Sequence, residues 1–169
     1  MLDILPDLFD QHAQQLQWLP IQWCDFGGVP TFYGEVQTVR CFEDNSRVKE
    51  VLAMPGRGRV LLVDGGGSLN RALLGDLIAQ SAQDCGWAGV VILGAVRDVH
   101  ALKGMSLGIK ALGACPIKTQ RKGIGELDCV LHIEGVAVNS GDYVYADRHG
   151  IAISSTAFHI DSEGAIKEW

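Results

Sequence analysis

The chain has 169 residues, 47% of them hydrophobic and 20% charged, a composition that supplies an ordinary buried core and excludes intrinsic disorder. Its 14 Lys and Arg against 20 Asp and Glu leave a net charge of −6, which excludes a generally basic nucleic-acid-binding face. No window reaches the ~18 consecutive apolar residues of a membrane span, and at roughly 150 residues per domain the length predicts one domain.

Pro6 to Leu16 reads as a first helix, with Pro6 in its first turn and Leu5, Leu8, Phe9, His12 and Leu16 on one face. Tyr33 to Phe42 alternates and is rich in Val and Thr, as a strand does. Asp44 or Asn45 caps a helix through Val48, Val51 and Leu52. Arg59 to Asp64 is a short continuous apolar run, the pattern of a strand buried on both faces. A helical pattern then carries Leu73, Leu74, Leu77, Ile78 and Ala82, with its start marked by Gly75-Asp76 and its end by Gly86. Ala88 to Leu93 is a second buried strand, closing at Gly94-Ala-Val-Arg97-Asp98.

The last third is strand-rich. Leu107 to Ala114 precedes Pro116. Cys129 to Ile133 and Val136 to Val138 form a hairpin around Glu134-Gly135. Tyr143 to Ala146 and Ile151 to Ser154 flank a turn at 147–150. The expectation is α/β for the first two thirds and mostly β thereafter. The 21 glycines lie among Val, Ile and Ala runs and read as tight turns. The start of the chain lacks the basic and apolar stretches of a signal peptide. Five cysteines, an odd number with no CxxC pair, point to reduced thiols and a cytoplasmic setting.

Three segments can carry chemistry. The loop Asp64-Gly-Gly-Gly-Ser68 follows a strand and either cradles an anion with its amides or is a tight turn needed for packing. Gly75-Asp76-Leu77-Ile78 opens a helix, whose unpaired amides either hold a carboxylate or are capped by Asp76. Arg97-Asp98 stands at the carboxyl end of a buried strand, where α/β sheets place ligands. There Arg97 can grip an oxyanion and Asp98 can hold Mg²⁺ or Mn²⁺, or the two form a surface ion pair. The histidines at 12, 100, 132, 149 and 159 show no metal-ligand spacing. His12 and His132 read as structural, and His100 is the one close to Arg97-Asp98.

These segments occur together with Phe26-Gly-Gly28, Cys41-Phe-Glu-Asp-Asn45, Gly56-Arg-Gly-Arg-Val60, Gly123-Ile-Gly125 and Ser140-Gly-Asp-Tyr-Val-Tyr-Ala-Asp147. In that order the chain resembles the family of the regulator of ribonuclease activity A, which includes 4-hydroxy-4-methyl-2-oxoglutarate aldolases. The aldolase signature is an Asp, twenty residues, Arg-Asp, a short gap and a last acid; Asp76, Arg97 and Asp98 match it, whereas Ala101, Leu102 and Lys103 occupy the positions of the last acid.

The resemblance implies a single α/β domain over residues 1–169, a swivelling β/β/α fold with a central mixed sheet flanked by helices. It also implies a homotrimer with its site between neighbouring subunits. The activity it implies is retro-aldol cleavage of a small 2-oxo dicarboxylate to pyruvate, with decarboxylation of oxaloacetate through the same enolate. Arg97 and Asp98 are then catalytic, Asp98 holds a divalent Mg²⁺ or Mn²⁺, and Gly75, Asp76, Leu77, Ile78 and Arg97 bind substrate. The other function the resemblance offers is a regulator that docks on ribonuclease E or its helicase partners, with neither nucleic acid nor membrane bound directly.

Overall fold

A computed structural model describes residues 3–168. A helix, α1 (Leu5–His12), opens the described chain and ends in a 3₁₀ turn at Ala13–Gln15. It is shorter than the periodicity predicts, because Leu16 is already extended and buries its side chain from there. Two short strands follow, β1 (Gln17–Trp18) and β2 (Cys24–Asp25), then the long β3 (Phe32–Arg40), α2 (Ser46–Leu52) and β4 (Val60–Asp64). After these come β5 (Ala72–Leu74), α3 (Asp76–Asp84), β6 (Gly89–Val96), α4 (Val99–Lys103) and β7 (Gly108–Ala114).

The strand-rich end holds β8 (Glu126–Leu127), β9 (Leu131–Ile133), β10 (Val136–Val138), β11 (Tyr143–Asp147), β12 (Gly150–Ser154), β13 (Phe158–Ile160) and β14 (Ile166–Glu168). The β9–β10 hairpin turns on two residues, Glu134 and Gly135, at φ of 49° and 80°. Both values lie in the left-handed region such turns require.

One mixed sheet organises these elements in the order β1-β12-β11-β3-β4-β6-β7-β2. Its centre, β3-β4-β6-β7, is parallel, and the flanks are antiparallel. Burial follows from this. Val60 to Val63 and Val90 to Ile92 have essentially no exposed surface, because both faces of the central strands are covered. On one face α2, α3 and α4 pack through Val48, Val51, Leu52, Ile78, Ala82 and Leu102. On the other face the β9–β10 hairpin packs through Leu131, Ile133, Val136 and Val138. A third cluster seats α1 against Tyr145 and Phe158. The layers are therefore hairpin, sheet, helices, which agrees with the β/β/α architecture.

The helix starts at Gly75-Asp76 as predicted, but Leu73 and Leu74, read into its periodic pattern, lie outside it. Ala72–Leu74 is a strand paired in parallel with the end of β6. Leu77, beside the main apolar series of the helical pattern, is 81% exposed; the buried stripe of α3 is Ile78, Ala79 and Ala82. Adjacent leucines of a buried strand and a helix entered through one glycine mimic a single helical period.

Candidate active site

The site forms where β6 outruns β4. Asp64, the last residue of β4, pairs with Leu93, yet β6 continues to Val96, and β5 lies against that extension. The amide of Arg97 donates to the carbonyl of Leu74 at 2.9 Å. This bond fixes Arg97-Asp98 beside Gly75, at the carboxyl ends of the parallel strands.

Asp98 adopts a left-handed conformation, φ 56° and ψ 40°, at the start of α4. Its carboxylate does not cap α4. Instead Oδ2 accepts the amide of Asp76 at 3.0 Å, and it lies 3.7 Å from Arg97 Nε. Both side chains remain more than a third exposed. Gly75 is extended, so its backbone suits any residue, but a Cβ there would stand 2.7 Å from Asp98 Oδ2 and 3.2 Å from Arg97 Nε. Glycine at 75 lets the carboxylate and guanidinium close over the start of α3.

Gly75, Asp76, Leu77, Ile78 and Arg97 line one cleft of about 500 Å³. The structure thus brings together five of the six predicted site residues on its wall, with Asp98 against them through Gly75 and Asp76. Two of the four helix-start amides are already used: Asp76 N by Asp98, and Leu77 N by the Asp76 side chain at 2.8 Å. Among the described residues the amides of Gly75 and Ile78 have no protein acceptor.

A second part of the lining was not legible in sequence. It consists of Lys118, Thr119, Gln120 and Arg121, together with Asn45. These residues lie in an irregular segment between β7 and β8, and no local pattern marks them.

The glycine-rich loop is a turn, not an anion cradle. Gly65 N and Gly67 N both donate to Leu93 O at 3.1 Å, Gly66 N to Asp64 Oδ1 at 2.9 Å, and Ser68 N to Gly65 O at 3.4 Å. Its donors are consumed by the protein. His100 lies on α4 facing a different hollow, with Lys103 and Arg148. His12 packs its ring on Phe158 at 4.6 Å, while His132 is exposed on β9.

The donor set bears on whether a divalent ion fits. Asp98 Oδ1 has no protein donor among the described residues, so one carboxylate oxygen is left open beside Gly75 and Asp76 of the cleft. Mg²⁺ is commonly held by one or two carboxylates, with waters and substrate oxygens completing its shell. Asp98, with Asp76 beside it, fits that pattern. It does not make a protein cage. Among the described residues the one group of three possible ligands is Asp3, Asp147 and His149, away from this cleft. There the buried Asp147 accepts Leu5 N and His149 N, each at 2.8 Å, and fastens α1 to the β11–β12 turn.

The fold, the cleft and the order of motifs define a class. The chain matches the RraA-like family profile, described as Aldolase/RraA, over residues 5–153, and it belongs to that family. A Shewanella oneidensis protein carrying the provisional name 4-hydroxy-4-methyl-2-oxoglutarate aldolase is 55% identical, over 94% of this chain and 97% of its own. A Vibrio cholerae protein with the same provisional name is 48% identical, over 95% and 99%. The chain is also similar to the RNA-processing inhibitor RraA from Thermus thermophilis, with a TM-score of 0.88 and 44% identity, over 92% of this chain and 94% of that one. No described helix is long and apolar enough to cross a membrane.

Proposed function

We propose that the chain is a divalent-metal-dependent 4-hydroxy-4-methyl-2-oxoglutarate aldolase with an oxaloacetate decarboxylase side activity. The observation that carries this reading is one cleft lined by Gly75, Asp76 and Arg97, with Asp98 held against them through the Asp76 amide. The two relatives bearing the aldolase name, matched nearly end to end, support it.

The chemistry to be solved is a carbanion. When the C3–C4 bond of the substrate breaks, its electron pair flows through C3 into the 2-oxo group, giving pyruvate enolate. The 4-hydroxyl loses its proton, and C4 becomes the carbonyl of the second product. Asp98 would hold a divalent Mg²⁺ or Mn²⁺, which when bound would supply Lewis-acid polarisation of the 2-oxo group. Arg97 presents a permanent positive charge to the enolate oxygen, where charge develops. The amides of Gly75 and Ile78 take the carboxylate next to the 2-oxo group, as a helix start favours. A water in the cleft receives the 4-hydroxyl proton and relays it to solvent. C3 then takes a proton from water to give pyruvate. Loss of CO₂ from oxaloacetate leaves the same enolate, so the same groups serve it.

We read residues 1–169 as one RraA-like unit in a homotrimer. Exposed large apolar side chains support an assembly: Leu77 of the cleft is 81% exposed, and Leu69 and Ile117 are 50% each. Free cysteines at 24, 41, 85, 115 and 129 suit a reducing cytoplasm. A second reading, an inhibitor of ribonuclease E or its helicase partners, is favoured by the likeness to the Thermus protein. Its test is a pull-down and RNA-cleavage assay at low salt, in which absence of binding removes it.

The aldolase reading is tested by coupled pyruvate release from 4-hydroxy-4-methyl-2-oxoglutarate and oxaloacetate. Wild type with Mg²⁺ or Mn²⁺ releases pyruvate. Arg97→Ala and Asp98→Ala each lose on the order of 100-fold or more while the oligomer stays intact. Wild type matching the metal-only background overturns the reading.

A further inference from the structure

Three cations, Arg97, Lys118 and Arg121, line a cleft whose one acidic lining residue is Asp76. The chain as a whole is acidic, with a net charge of −6, so this local excess is not background. One carboxylate does not balance three cations, and while Asp98 Oδ2 lies 3.7 Å from Arg97 Nε, no acidic side chain pairs with Lys118 or Arg121 among the described residues. Arg97 faces the start of α3, where the 2-oxo acid end of a substrate binds in the proposed function. Lys118 and Arg121 stand on the second part of the lining. Among the described residues Lys118 Nζ and the terminal nitrogens of Arg121 have no hydrogen-bond or ion-pair partner.

That wall is built, not draped. Asn45 is 6% exposed and uses both ends of its amide. Nδ2 donates to Leu73 O at 3.2 Å; Oδ1 accepts Thr119 Oγ1 at 2.7 Å and Arg121 Nε at 3.0 Å. Leu73 lies two residues before Gly75, so one buried side chain ties the entrance of α3 to the cationic wall. The neighbours of Asn45 reinforce it: Asp44 Oδ2 accepts Lys122 N at 2.7 Å, and Ser46 Oγ accepts Gly123 N at 3.1 Å. With Nε committed, the fork of Arg121 keeps its outer N–H groups for a planar oxyanion.

We propose that Lys118 and Arg121 form the subsite for the second carboxylate of a C4–C5 2-oxo dicarboxylate, and that Asn45 is the positioning residue that orients it. The inference rests on the proposed function for the placement of the first carboxylate. A monocarboxylic 2-oxo acid is satisfied at Arg97 and the α3 amides and leaves this wall unused. A dicarboxylate spans the cleft and discharges both cationic groups. Selectivity then resides in the far wall, while the reacting end is read by Arg97.

The test uses two ligands of equal length that differ in the far group, 2-oxoglutarate and 2-oxopentanoate. Each is titrated calorimetrically into the full chain at low salt with Mg²⁺. Wild type binds 2-oxoglutarate at least 10-fold more tightly. Lys118→Gln and Arg121→Gln each shrink that ratio, and the double variant abolishes it, with 2-oxopentanoate affinity unchanged. Asn45→Ala lowers the ratio in the same way; Thr119→Val, which keeps the buried amide, serves if that variant does not fold. Equal wild-type affinities, binding of neither ligand, or a preference that survives in the double variant overturns the proposal. Turnover is read separately. A retained preference without pyruvate release defeats the aldolase reading and leaves the subsite standing, whereas pyruvate release without a preference does the reverse.

Discussion

The carboxylate of Asp98 accepts the backbone amide of Asp76 at 3.0 Å, joining the end of β6 to the first residue of α3 across 22 positions. One oxygen of Asp98 is thereby committed to the start of α3, and the other has no protein donor among the described residues. The spacing of the family signature between these two residues is the length of chain needed to run α3, cross to β6 and return to the same edge.

This relationship predicts a separation of activity from stability at position 75. In Gly75→Ala the new methyl group meets Asp98 Oδ2 at 2.7 Å and Arg97 Nε at 3.2 Å, and both are tips of movable side chains. The extended backbone accepts alanine without strain. Unfolding stability is expected to change by no more than about 1 kcal/mol. Pyruvate release is expected to fall at least 10-fold, because Asp98 must swing off the Asp76 amide. Thermal denaturation and the coupled assay, run together, check it; a variant with normal turnover defeats it.

Chelation gives a second prediction. On the proposed function a divalent ion would be held by one open carboxylate oxygen and not by a protein cage. EDTA is expected to abolish pyruvate release without lowering the melting temperature, and added Mg²⁺ or Mn²⁺ to restore it within mixing time. A melting transition that drops with EDTA would reveal a structural ion instead.

The thiols should differ sharply in reactivity. Burial, with Asp44 and Asp64 nearby, pushes the Cys41 thiol up to about 12. Cys24 is exposed. Since the thiolate is the attacking form, iodoacetamide at pH 8 is expected to label Cys24 in the native protein and to spare Cys41 until the chain is unfolded. Peptide mapping by mass spectrometry decides; equal labelling contradicts the core packing around α2.

Asp44 predicts a pH dependence of stability. Burial by itself raises its pKa, but hydrogen bonds from the Ser46 hydroxyl and the amides of Ser46, Lys122 and Ile124 outweigh that and hold it below the ordinary carboxylate value. A carboxylate whose folded pKa lies below its unfolded one stabilises the fold above the unfolded value. That stabilisation is lost as the pH falls through the folded one, here in acid below about pH 4. Urea midpoints between pH 3 and 7 are expected to fall less steeply in Asp44→Asn than in wild type. Parallel profiles would show that Asp44 does not carry the effect.

Much of this molecule was written locally. The continuous apolar runs of β4 and β6 announced strands covered on both faces, and Glu134-Gly135 announced a two-residue turn, because each signal depends only on neighbours along the chain. The sites at 75–78 and 97–98 were legible for the same reason, as a helix start and a strand end. Tertiary structure alone decided three things. It made Ala72–Leu74 a strand, since β6 extends beyond β4 and offers an edge to pair with. It spent the amides of the 65–68 loop on Leu93, Asp64 and Gly65, closing a site that composition left open. It also placed Arg121 on Asn45, 76 residues away, building a cationic wall from an unpatterned segment. Periodicity and caps record what a residue does with its own turn or strand. A hydrogen bond between distant segments leaves no local trace, because it exists only once the sheet has brought them together.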